Sequence, residues 1–75
     1  MITKTININS LDKIETFVDI INKFNGRFDL VSGCSIVNAK SIMAIFSLDI
    51  SRPVYLYIYN EESAEHVTKA LAEFE

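Results

Sequence analysis

V-N-A-K-S-I-M-A-I-F-S-L, Val37 to Leu48, is the stretch on which the reading of this chain turns. It passes from the end of an extended segment into a short apolar helix, with Ser41 at the junction and Lys40 just before it. A serine heading a helix accepts a hydrogen bond from an amide of the first turn, worth about 1 kcal/mol. Ile42, Met43, Ile45 and Phe46 cannot all face inward on one short helix. At helical spacing Ile42 and Ile45 share one side, and Met43 and Phe46 the next. One pair belongs to a core. The other, if exposed, suits docking, because Met repacks readily and aromatic residues anchor interfaces. The alternative is that all four cover the edge of a sheet.

Working outward, the segments on either side alternate between strand and helix patterns. Ile2 to Ile8 places Ile2, Ile6 and Ile8 on one side, as a half-buried strand does. Asn9-Ser10 offers cap chemistry before a helix whose apolar stripe is Leu11, Ile14, Phe17, Val18, Ile21 and Phe24. Asn25-Gly26 stops it. Phe28–Val31 and Ile36–Ala39 read as the strands of a hairpin, turned at Ser32-Gly33-Cys34. Ser41 to Leu48 reads as the short helix, and Val54 to Tyr59 as a strand. Glu61 to Glu75 reads as a closing helix with Ala64, Val67, Leu71 and Phe74 inward. The order β-α-β-β-α-β-α implies an α+β sandwich of two layers. Helices cover one face of a four-stranded, mainly antiparallel sheet.

The totals bound the function. Seventy-five residues make one domain, 1–75, and 49% hydrophobic residues with 2 Gly and 1 Pro supply it with a core. Ten acidic against seven basic residues leave a net charge of −3, which speaks against direct binding to nucleic acid or to an anionic membrane. One cysteine, Cys34, allows no internal disulfide. MITKTININS has no apolar leader core, and no run approaches the roughly 20 residues of a membrane span. A cytoplasmic protein is the expectation.

Chemistry-bearing residues are sparse. There is no carboxylate pair, metal-ligand spacing, glycine-rich phosphate loop or nucleophile–base arrangement, so neither enzyme activity nor a cofactor or metal is expected. His66, the single histidine, lies in the last helix without partners and reads as a surface residue. Cys34 has nothing nearby to activate it. Glu61, Glu62 and Glu65 suit the first turn of a helix. Tyr55, Tyr57 and Tyr59 stripe one side of the last strand. They either pair across strands with Thr3, Thr5 and Asn7, or form a surface through which two copies associate.

The element order, together with V-N-A-K-S-I-M followed by S-L, resembles the HPr family of the sugar phosphotransferase system. The likeness of order spans nearly the whole chain; the close likeness of sequence is concentrated in Val37 to Leu48. It is nearest to the Gram-positive type, and it implies that Ser41 is the serine phosphorylated by HPr kinase/phosphorylase. Lys40, Ile42, Met43 and Phe46 then correspond to the surface that docks on partners. Those partners include a transcription regulator of carbon catabolite control. Ala44 stands where glycine is usual, and Phe46 where methionine is common.

The family's other chemistry has no counterpart. A phosphocarrier has a histidine at the start of its first helix, closely followed by arginine and proline; here that stretch is I-N-S-L-D-K-I-E-T-F. Phosphohistidine needs an imidazole beside helix-end amides and a cation. Ser10 keeps the cap, but Asp12 repels a phosphate. The pattern resembles a divergent, Crh-like member that regulates without carrying phosphate, although the arginine Crh retains near the first helix is absent. The other expectation is a degenerate HPr fold that binds partners or itself without phosphate chemistry.

Overall fold

The computed structural model describes residues 1–74. Its elements are β1 (Ile2–Ile6), α1 (Leu11–Ile21), β2 (Phe28–Ser32), β3 (Ser35–Asn38), α2 (Ile42–Ile45), β4 (Val54–Ile58) and α3 (Glu61–Ala70), followed by a 3-10 turn over Ala72–Phe74. The strands lie in the order β1-β4-β2-β3, and every neighbouring pair is antiparallel. The last strand is therefore inserted between the first and the hairpin.

Strand alternation divides the sheet's two faces. Ile6, Phe28, Leu30, Val54, Leu56 and Ile58 point to one side, where they are buried with Ile14, Phe17 and Ile21 of α1 and Ala64 and Val67 of α3. Each such side chain contributes roughly 1.5–3 kcal/mol on leaving water. Phe17 and Phe74 close one end of this core edge to face, with ring centroids 6.0 Å apart at 87°. The expected α+β sandwich with helices on one face is the observed one.

The details that differ from expectation have local causes. Leu11 is not part of the α1 stripe. It directly follows the N-cap Ser10, a turn ahead of Ile14, and is 54% exposed. The α1 helix ends at Ile21 rather than running to Phe24. The Asn22 side-chain amide donates to the Val18 carbonyl at 2.9 Å. Lys23 and Phe24 then donate to Ile20 and Ile21 at i−3 spacing, which tightens the chain into a turn. Gly26 follows at φ +110°, a conformation side chains disfavour, so the glycine does mark the stop, but beyond a short turn.

β1 ends at Ile6, because the Asn7 amide leaves the ladder and donates to the Phe74 carbonyl at 2.7 Å. Ile8 is nevertheless buried. The hairpin turns on two residues, Gly33-Cys34, with positive φ at Gly33 alone, as a type II′ turn requires. α3 gives way to the 3-10 turn after Ala70, though Ala64, Val67, Leu71 and Phe74 are all inward as expected. The expected helix's last residue, Glu75, lies outside the described residues.

Candidate functional site

Ser41 is set in place by the turn that ends the hairpin. The Asn38 side-chain oxygen accepts from the Lys40 amide at 2.9 Å, and the Asn38 carbonyl accepts from the Ser41 amide at 3.1 Å. This side-chain turn is the local chemistry Asn favours. It delivers Ser41 in an extended conformation (φ −101°, ψ 107°), and its Oγ accepts from the Ala44 amide at 3.3 Å. The serine is a helix cap, and it is half-buried.

The α2 helix is a single turn, shorter than the span Ser41–Leu48. Ser47 Oγ donates to the Ala44 carbonyl at 2.6 Å, and the Leu48 amide donates to Ile45 at 3.0 Å, so the segment tightens after Phe46. Its four apolar residues divide as the spacing predicts. Ile45 is fully buried and Ile42 half-buried against the core, whereas Met43 is 76% exposed and Phe46 47%. An exposed Met–Phe pair therefore stands on the short helix that Ser41 caps, with Phe46 at its C-cap.

Lys40 takes a direction that sequence reading does not anticipate. Its ammonium donates to the Phe24 carbonyl at 2.7 Å and lies 5.6 Å from the centre of the Phe28 ring. It satisfies an acceptor past the end of α1, where a positive charge also suits the helix dipole. Lys40 is thus not a freely solvated charge; its ammonium is engaged past the end of α1, and among the described residues it makes no salt bridge.

The start of α1 is a different environment. Ser10 Oγ accepts from the Lys13 amide at 3.3 Å, an N-cap as expected. The shallow groove beside it is lined by Asp12, Lys13, Thr16, Glu73 and Phe74. Two carboxylates against one ammonium make this a poor seat for a phosphate. No histidine stands there; His66, the only one in the sequence, is exposed on α3. Cys34 is exposed in the hairpin loop. Among the described residues no cluster of His, Cys, Asp or Glu could hold a metal ion, and no helix is long and apolar enough to cross a membrane.

The cluster that sequence reading missed is on the open face. Asp29, only 6% exposed, accepts from the Tyr59 hydroxyl at 2.9 Å and pairs with Arg27 at 3.2 Å. The Arg27 guanidinium also covers the Tyr59 ring at 4.8 Å. Arg27 and Asp29, two positions apart on an extended segment, share a side, and that spacing was the available signal.

A four-stranded antiparallel sheet in this order, with its hairpin feeding a serine-capped turn of helix, defines an HPr-type fold. The chain matches the crystal structure of HPr-C-His from Thermoanaerobacter tengcongensis with a TM-score of 0.81 and 31% identity, over 97% of this chain and 89% of that one. It therefore belongs to the HPr family. A phosphocarrier protein HPr from Bacillus anthracis strain Ames shares the fold at a TM-score of 0.80 and 22% identity, over 99% of this chain and 96% of that one. No protein-family profile and no curated protein matches the chain.

Proposed function

We propose that this chain is a cytoplasmic regulatory member of the HPr family, itself without enzyme activity, switched by phosphorylation of Ser41 rather than by a phosphohistidine. An HPr kinase/phosphorylase-like enzyme transfers the γ-phosphoryl group of ATP to Ser41 Oγ, and the hydroxyl proton leaves to a base of the kinase. The modified protein then binds a partner such as a transcription regulator of carbon catabolite control. Ile42, Met43 and Phe46 supply the apolar contacts, with Lys40 at the rim. The observation that carries this reading is that Ser41 caps the same short helix that exposes Met43 and, at its C-cap, Phe46. A phosphate adds nearly two negative charges beside that patch and changes what docks there without refolding the domain.

A second reading is favoured by the bonds Ser41 and Lys40 already make. With Oγ engaged as a cap and the Lys40 ammonium held at Phe24, the segment is complete without phosphate, and the fold then serves constitutive binding. Intact mass after two incubations separates the readings. One tube holds ATP and an HPr kinase/phosphorylase, the other phosphoenolpyruvate and enzyme I. One phosphate in the first tube only, lost in Ser41→Ala, supports the serine switch. Silence in both tubes leaves Ser41 as a cap, and labelling in the second tube overturns the loss of carrier chemistry.

A further inference from the structure

β1 is an edge of the sheet, and the hairpin fixes which of its main-chain groups face outward. A two-residue turn makes Ser32 and Ser35 a hydrogen-bonded pair, and bonded and non-bonded pairs alternate along antiparallel ladders. Carried through β2 and β4, that alternation turns the amides and carbonyls of Ile2, Lys4 and Ile6 toward β4. It turns those of Thr3 and Thr5 toward the free edge. Two bonds outside the ladders obey the same alternation. The Ala39 amide donates to Phe28 at 2.9 Å, and the Asn7 amide, next in the outward series, donates to Phe74 at 2.7 Å. The 3-10 turn thus closes the edge at Asn7. Thr3 and Thr5 each keep an N–H and a C=O without a main-chain partner among the described residues.

A groove of about 420 Å³ runs beside that edge, between the helix-facing side of β1 and α3. Ile2, Ala64 and Thr68 line it with little free polarity, since the Thr68 hydroxyl donates to the Ala64 carbonyl at 2.7 Å. Of its charged residues, Glu65 pairs with Lys69 at 3.4 Å and Glu61 with the N-terminal ammonium at 3.1 Å. Lys4 remains. It stands at the middle of β1, on the side that Ile2 and Ile6 turn to the helices and across from the fully buried Leu56. Among the described residues it makes no salt bridge.

We propose that this edge is a docking site for an extended peptide of another protein, which adds to β1 as a further antiparallel strand and sets an acidic side chain against Lys4. Thr3 and Thr5 each exchange an N–H and a C=O bond with the incoming strand. The peptide residue between those two pairs lies opposite Lys4, at the close spacing of a non-bonded pair, about 4.5 Å between Cα atoms. The residue two positions later lies opposite Ile2 and enters the groove. The peptide therefore carries an acidic residue, any residue, then an apolar one.

Charge selects this occupant. An unneutralised ammonium on the inner side of an edge strand turns away a purely apolar strand. It also turns away a second copy, because the antiparallel register that uses both threonines of each chain sets Lys4 against Lys4. A carboxylate at that position removes the obstacle and adds a charge-assisted contact.

The test titrates the unphosphorylated full chain with acetyl-Ser-Thr-Glu-Thr-Val-Thr-amide, followed by amide chemical shifts, and does not depend on Ser41. The expected result is saturable binding below about 1 mM, with shifts centred on Ile2 to Thr5 and on Ala64 and Thr68. Lys4→Glu should weaken it at least about tenfold. The same peptide with Lys in place of its Glu should bind that variant and not the parent chain. N-methylation of the peptide residue between Glu and Val removes the donor to the Thr3 carbonyl and should also cost at least about tenfold. No binding up to millimolar peptide overturns the proposal, as does binding indifferent to the charge swap or to N-methylation. Sedimentation showing that the chain pairs with itself through Thr3 and Thr5 also overturns it, since the edge then belongs to a second copy.

Discussion

The hydroxyl of Tyr59, just past β4, donates at 2.9 Å to the nearly buried carboxylate of Asp29 in the middle of β2. The bond to Asp29, then loss of hydration and the carboxylate's charge, hold this phenol above its ordinary value of 10.0. The folded chain therefore favours the protonated phenol. That stabilisation is fully present below the unfolded value near 10 and is lost as pH rises through the higher folded value. Urea midpoints should fall as pH is raised above 10, and fall less in Tyr59→Phe. Tyrosinate absorbance should show the late-titrating phenol disappearing in Asp29→Ala.

Lys40→Met keeps an apolar stem of similar length and removes the bond to the Phe24 carbonyl. A hydrogen bond to a charged donor contributes about 1.5–3 kcal/mol, and solvent access to this one points to the lower end. Hydrogen exchange should quicken at Lys23 and Phe24, the turn that Lys40 ties down, while the β4 amides stay protected.

Two glycines predict losses of different size. Gly26→Ala forces a side chain into φ +110° and brings its Cβ to 3.4 Å from that of Asn60, which caps α3 through the Glu62 amide. A loss of about 1–3 kcal/mol is expected in thermal unfolding. Gly33→Ala meets no atom within 4 Å and sits at φ +60°, so about 1 kcal/mol is expected there.

Phe17→Ala should lose about 3–5 kcal/mol, since the ring is fully buried and braces Phe74. At roughly 0.05–0.15 kcal/mol of stability per residue, 75 residues hold about 4–11 kcal/mol, so the substitution removes a large share of the total. Thermal unfolding followed by far-ultraviolet circular dichroism should show a midpoint lowered by about 12 °C or more.

What was legible in the sequence is what depends on near neighbours. The alternation in Val54–Ile58, the cap chemistry of Ser10 and Ser41, and the division of Ile45 from Met43 and Phe46 all follow from spacing along the chain. What was not legible depends on residues far apart in sequence. Lys40 reaches a carbonyl 16 residues earlier, and Tyr59 a carboxylate 30 residues earlier. Asn7 was expected beside the tyrosines but leaves the ladder for Phe74, whereas Thr3 and Thr5 do pair with Tyr57 and Tyr55. Leu11 fits the apolar period and still lies exposed, because periodicity gives direction around a helix but not whether anything lies opposite its end.

The insertion of β4 between β1 and the hairpin bears on the order of events during synthesis. A nascent chain that has emerged only to Asp49 holds β1, α1, β2, β3 and α2, yet no strand pairing joins β1 to the hairpin, because their common neighbour is still in the ribosome. Both β1 and β2 keep an unpaired edge until Val54–Ile58 arrives, and unpaired edges invite wrong partners. The sheet is thus completed after most of the chain has been made, and speed of closure over those last residues, rather than early local structure, governs how long it stays vulnerable.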